Sequence, residues 1–251
     1  RISNEFEHNN MNLNCIDDYR KTTSKRDSIV TAYKNLDDII TNNKFLNEEQ
    51  MMIFLEIIEK GDIEKALTFF PEDEIDIEIK EHNQNKENII QKIKIKIQLY
   101  SFMNDYEQKT KQFEKLVKFA QSDAEYLNYA NFLKSIGHYN KSIELYRYLI
   151  LRSNSMRLKA ICYNNLGTIS GEGLYITYNE GIEFTQKAIA IYEKLYLNEK
   201  EEYIYNNLIE SKLNFILFQY KLKGDYISAK NKLFMLIEDI ELLDNTSEIY
   251  I

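Results

Sequence analysis

The sequence predicts an all-α fold, an α-solenoid of about five stacked antiparallel helix pairs. Apolar residues recur at spacings of three and four through most of the chain, which places them on one face of a helix. One Pro and seven Gly in 251 residues suit helix interiors, which proline breaks, better than the turns of a β-sandwich. The amphipathic segments also come in twos, joined by short turns. Neither helix of such a pair can bury its stripe alone, so each pair needs neighbours.

Apolar residues at 44% and charged residues at 29% describe a globular chain rather than a disordered one. The net charge of −8 argues against general binding to a nucleic-acid backbone. No apolar run approaches the roughly 20 residues that cross a bilayer, so no membrane partner is expected. Cys15 and Cys162 have no CxxC spacing and read as free thiols of a reducing compartment, hence a cytoplasmic location. The chain starts at Arg1 with no Met and no signal-peptide pattern, which suggests a fragment of a longer protein or a trimmed chain.

Residues 1–46 read as a polar, Asn-rich lead-in followed by one helix from Ser28, striped by Ile29, Ala32, Leu36 and Ile40. Residues 47–251 read as the repeat domain. Asn47 and Gln50 form a capping-box start before Ile53, Phe54, Ile57 and Ile58, and Gly61 closes that helix. Asp62 is placed to cap a second helix carrying Ile63, Ala66, Leu67, Phe69 and Phe70, which Pro71 stops.

Two stretches, Glu74–Lys80 and Lys92–Gln98, alternate with period two, one acidic and one basic. They could pair as a β-hairpin with matched charges. The competing reading is helix, with Ile89, Ile90, Ile93, Ile97 and Tyr100 as a seam and Ile95 off it. Helix is favoured because the residues after it continue the repeat register, with Asn104 at the turn and Phe113, Leu116 and Val117 as the next stripe.

Ser122 and Glu125 then read as a capping box opening the best-defined pair. Its first helix carries Tyr126, Tyr129, Ala130 and Leu133; Gly137 turns the chain; Ile143, Tyr146, Leu149 and Ile150 stripe the second. Small Ser142 sits where the two approach most closely. A further pair holds Tyr163, Leu166 and Gly167, a turn at Gly171 and Gly173, then Gly181, Thr185 and Ala188. The last pair reads Leu213, Ile216, Leu217 and Tyr220, Gly224, then Ala229, Leu233 and Leu236, with a helix stop near Asp244. Most tyrosines fall at core spacing, among them Tyr100, Tyr129, Tyr146, Tyr163 and Tyr220.

From Asn104 to Gly137 is 33 residues, close to the period of about 34 of tetratricopeptide repeats. The sets Tyr126/Tyr129/Ala130/Leu133/Ser142/Tyr146, Tyr163/Leu166/Gly167 with Gly181/Ala188, and Leu213/Ile216/Leu217/Tyr220/Ala229/Leu233 resemble that family's pattern of bulky and small positions. Asn164–Gly167 and Ala188–Leu195 look like the longer-helix variants of kinesin-light-chain-like repeats and of bacterial signalling or defence proteins. The usual Trp is absent, and the spacing stretches beyond the repeat length in the later units.

No HExxH, GxSxG, Walker loop or GxGxxG is present. His8, His82 and His138 stand alone in sequence, and His138 reads as an exposed turn residue. The acidic run Glu72 to Glu74 lacks the ligand spacing of a calcium loop and reads as solvated surface. No enzyme activity, metal or cofactor is therefore expected. Function rests on surface, and the resemblance implies a protein or peptide held in a concave groove lined by first helices. In this register the groove positions are Lys94, Gln98, Asn128, Asn131, Asn164, Asn165 and Asn214, whose amides can donate and accept at once. A carboxylate clamp is not implied, because Ile161 and Asn165 stand where it requires basic residues. The alternatives are a regulatory arm of an enzyme whose catalytic domain lies upstream or on another chain, and a small-ligand sensor using the tyrosines.

Overall fold

The computed structural model describes residue 36 and residues 46–80, 86–170 and 175–247, without the side chains of 239 and 241–247. The expected lead-in, the helix from Ser28 apart from Leu36, Cys15, His8, His82 and the Gly171/Gly173 turn lie outside the described residues. The chain gathers into two compact units, Arg1–Gln121 and Ser122–Ile251. Every described element is a helix or a turn, and among the described residues there is no strand.

In the first unit the helices are α1 (Glu48–Glu59), α2 (Ile63–Leu67), α3 (Glu72–Lys80), α4 (Lys86–Met103) and α5 (Tyr106–Ala120). The Asn47 side chain accepts from Gln50 N at 2.9 Å, and Gln50 Oε1 accepts from Asn47 N at 3.1 Å, a reciprocal cap that starts α1. Asp62 caps α2 through Lys65 N at 3.2 Å. Beyond α2, Phe69 and Phe70 both meet the Phe54 ring edge-on at 5.5 Å, which ties α1 to the turn before α3.

Both period-two stretches are helical, as α3 and part of α4. The reason lies in burial. Helix α4 packs against α2, α3 and α5 together, so it buries residues on most of its circumference rather than along one seam. Ile95, expected off the seam, is buried with Ile93, Ile97 and Leu99. An alternating pattern and a helix surrounded on several sides both demand apolar residues at adjacent offsets. Asn104, at φ 55°, makes the left-handed turn into α5.

The second unit holds α6 (Asp123–Ser135), α7 (Tyr139–Arg152), α8 (Met156–Ile169), α9 (Tyr178–Glu199), α10 (Glu202–Lys223) and α11 (Tyr226–Ser247). The final helix thus runs past the expected stop at Asp244. Ser122 caps α6 through Glu125 N at 3.3 Å. Gly137, at φ 79°, turns α6 into α7 with a Cβ-free left-handed residue. Ser142 Oγ donates to Ala130 O at 2.9 Å where α6 and α7 cross; a larger side chain there would hold the helices apart.

The pairs α6/α7, α8/α9 and α10/α11 follow one another, each new first helix packing on both helices of the pair before it. Ala130, Tyr146, Leu149, Cys162 and Leu166 form the core between the first two pairs. Ala160, Ala188, Tyr192, Ile204 and Leu208 form the core between the second and third. Fully burying each of these larger apolar side chains is worth about 1.5–3 kcal/mol. Tyr129 and Tyr146 are core, as predicted, whereas Tyr220 is 40% exposed.

Within α8/α9 the backbones nearly touch. A Cβ on Gly181 would lie 2.0 Å from Ser170 Oγ and 3.3 Å from Gly167 O. The two glycines are what allow that approach.

Candidate interaction surface

Asn131 on α6 and Asn165 on α8 sit one helix pair apart in sequence and meet side by side. Asn165 Nδ2 donates to Asn131 Oδ1 at 3.1 Å, and the Tyr146 hydroxyl donates to the same oxygen at 2.7 Å. Lys134 Nζ, one turn after Asn131, donates to Asn165 Oδ1 at 2.5 Å and Thr168 Oγ1 at 3.3 Å. Burial holds the Tyr146 phenol well above its usual range, with the Ser142 hydroxyl bond a smaller opposing effect. The hydroxyl therefore stays a donor.

Asn164 faces the other way. Adjacent helical residues point about 100° apart, so Asn165 reaches back to α6 and Asn164 reaches forward to α10. Its Oδ1 accepts from Ser211 Oγ at 3.1 Å and Asn214 Nδ2 at 3.3 Å, and its Nδ2 donates to Glu210 at 3.2 Å. Asn164 is buried, and its amide is engaged at both ends. In this place it clips α8 to α10 rather than lining a wall. The amides thus knit α6, α8 and α10 into one polar row, held at both joints by direct hydrogen bonds.

The other expected positions divide. Asn128 is exposed on α6, with its amide 3.5 Å from Glu125 Oε2. Lys94 and Gln98 are half-buried on α4, in the first unit. So five of the seven expected residues belong to the second unit and two to the first. The sequence reading missed Lys134, Thr168, Glu210 and Ser211. A signal for Lys134 was present: it lies three residues after Asn131, on the same helix face.

The first unit carries a charged cluster of its own. Lys96 is buried, donates to Phe70 O at 3.1 Å and pairs with Glu72. Lys115 also pairs with Glu72, and with Asp76 at 2.6 Å, while Gln112 Nε2 donates to Glu72 at 3.0 Å. Burial pushes the Glu72 carboxyl up, and the hydrogen bonds from Lys115 and Lys96 outweigh it, so the group is held below the usual carboxylate range. Glu72, expected as solvated surface, is instead the anchor that ties α3 to α4 and α5. It became so because α4 turns Lys96 inward, where an ammonium needs a partner.

Among the described residues no group of three or more His, Cys, Asp and Glu could hold a metal, and no helix is long and apolar enough to cross a membrane. His138 is exposed in the turn before α7.

No protein-family model matches the chain, and no curated protein matches it. Solved structures do. The crystal structure of BtubC (BKLC) from P. vanneervenii is similar at 15% identity with a TM-score of 0.57, over 88% of this chain and 92% of that one. A second, described as MamA RS-1 ArsTM double mutant, is 18% identical with a TM-score of 0.48, over 77% of this chain and 93% of that one. At such identities the likeness to BtubC speaks for fold alone. The shared architecture is a tetratricopeptide-like helical repeat, an all-α fold of successive helix pairs.

Proposed function

We propose that this chain is a protein-interaction module with no catalytic role of its own, working in the cytoplasm as the scaffold or sensor part of a bacterial signalling or defence system. A partner protein or peptide lies along the first helices of the second unit, against exposed Asn128 and the amide row of Asn131, Asn165 and Asn214. Asn164 contributes by holding α8 to α10. Lys94 and Gln98 offer the first unit a polar face on α4. The observation that supports this reading most is the row itself: three successive first helices present amides already fixed by one another, so little side-chain entropy is lost when a strand of backbone docks.

Site-specific photo-crosslinking tests it. A benzoylphenylalanine placed at Asn128 is expected to trap a discrete host protein, and one placed at Leu151, which is 86% exposed on the second helix α7, is expected not to. Equal trapping at both positions, or at neither, would overturn the reading.

A further inference from the structure

The pair α10/α11 ends in an open apolar groove of about 460 Å³. Leu213, Leu217 and Tyr220 on α10 face Tyr226, Ala229 and Leu233 on α11 across it. Each set is spaced by three or four over two turns, so the groove is walled by two helix stripes. The spacing predicts Leu213, Ile216, Leu217, Tyr220, Ala229, Leu233 and Leu236 as the stripes of this last pair. Only Ile216 and Leu236 are buried; Leu213, Leu217, Tyr220 and Leu233 are each 38–44% exposed and Tyr226 is 65% exposed. No helix among the described residues covers them.

The repeat itself says what shape fills such a groove. The α6/α7 pair receives α8, and the α8/α9 pair receives α10, each incoming helix touching both members. In the second case Ile204 and Leu208 of α10 complete the core with Ala160, Ala188 and Tyr192. The α10/α11 groove is the next position in that series. Its natural occupant is an amphipathic helix.

Charge selects which helix. The chain carries −8 overall, yet residues 211–237 hold five lysines and one carboxylate, Asp225. Lys230 lines the groove, and Lys223 and Lys232 line the polar recess beside it. Lys221, Lys223 and Lys230 make no ion pair among the described residues. Lys221 and Lys230 rest over the Tyr178 and Phe234 rings at 5.9 and 5.6 Å. A second copy meeting this face symmetrically would set lysine against lysine. A groove walled by Leu and Tyr stripes also suits apolar helix anchors better than a sugar-phosphate chain.

We infer that the α10/α11 groove is a docking site for an acidic amphipathic helix of a partner protein, which seats apolar side chains between Leu217 and Leu233 and sets carboxylates against Lys223 and Lys230. This surface is additional to the amide row, so either can fail without the other.

The test uses three labelled synthetic peptides and fluorescence anisotropy with the full chain. One is a helix with leucines at i, i+3, i+4 and i+7 and glutamates elsewhere; the second has lysine for every glutamate; the third is a scrambled acidic sequence. The first is expected to bind, with an affinity that falls as salt is added, and the others are not. Leu217→Asp and the double variant Lys223→Glu/Lys230→Glu are each expected to weaken it by at least about tenfold with far-UV circular dichroism unchanged, since all three side chains are exposed. The double variant keeps the test alive if Leu217→Asp misfolds. The inference is overturned if the acidic peptide does not bind, if the lysine peptide binds as well, or if the double variant has no effect. It is equally overturned if light scattering shows a dimer that Leu217→Asp dissolves while the peptide fails to compete. Binding of a single-stranded oligonucleotide through the same lysines, in place of the peptide, would also end it.

Discussion

Asn165 on α8 donates its side-chain amide to Asn131 on α6 at 3.1 Å, and that same Asn131 oxygen takes the Tyr146 hydroxyl at 2.7 Å. One acceptor therefore joins two successive first helices to the second helix between them. Removing either asparagine leaves a half-buried partner short of a bond. A double-mutant cycle with Asn131→Ala and Asn165→Ala, read by urea unfolding, is expected to give a coupling of about 0.5–1.5 kcal/mol. Strict additivity would mean the pair is an accident of proximity.

The crossing of α8 and α9 depends on the absence of a methyl group. Gly181→Ala would put Cβ 2.5 Å from the Ser170 Cβ and 3.3 Å from a backbone carbonyl. Backbone cannot swing aside as a flexible side-chain tip can, so the helices must part. The expected loss is about 1–3 kcal/mol, seen as a lower urea midpoint. Ser170→Gly in the same chain would restore part of it, because it removes the nearer of the two obstacles.

Glu72 neutralises two lysines, one of them only 3% exposed. Glu72→Gln is expected to destabilise by about 1–3 kcal/mol at neutral pH. That is less than the roughly 3–5 kcal/mol of a fully buried pair, because solvent screens the half-exposed carboxylate. The folded carboxyl titrates below its unfolded counterpart. Its contribution is thus complete above the unfolded value of about 4.3 and disappears as pH falls through the lower folded value. The stability gap between the parent and Glu72→Gln should close across that acid range. A gap that stays constant with pH would show that the carboxylate charge contributes nothing.

Cys162 is fully buried on α8, and burial pushes its thiol up to about 12. Thiolate is the reactive form. In a Cys15→Ser background the folded protein is expected to resist a thiol-reactive dye near neutral pH and to react promptly in denaturant. Fast labelling of the folded protein would mean that the core between α6/α7 and α8/α9 opens readily.

Much of the fold was legible in the chain because a helix writes its buried face as a spacing of three and four. Gly137 and Asn104 marked turns that need a left-handed residue, and Ser142 and Ala130 marked a close crossing. Gln121 and Lys200 make left-handed turns too, at φ 54° and 47°, without a residue type that advertises it. The candidate site was legible only as positions. That Asn131, Asn165, Asn164 and Asn214 lie on first helices followed from the register, but which amide meets which did not.

What the sequence determined by itself was local: helix, turn, cap, and the apolar stripe that each helix must hide. What only the tertiary structure decided was how far each stripe is in fact hidden. Ile95 and Lys96 are buried because α4 has neighbours on several sides, and Leu213, Leu217 and Leu233 stay open because no described helix covers the groove between α10 and α11. The physical reason is that amphipathic period records one helix's own geometry, whereas burial is a property of what arrives from elsewhere in the chain or from outside it.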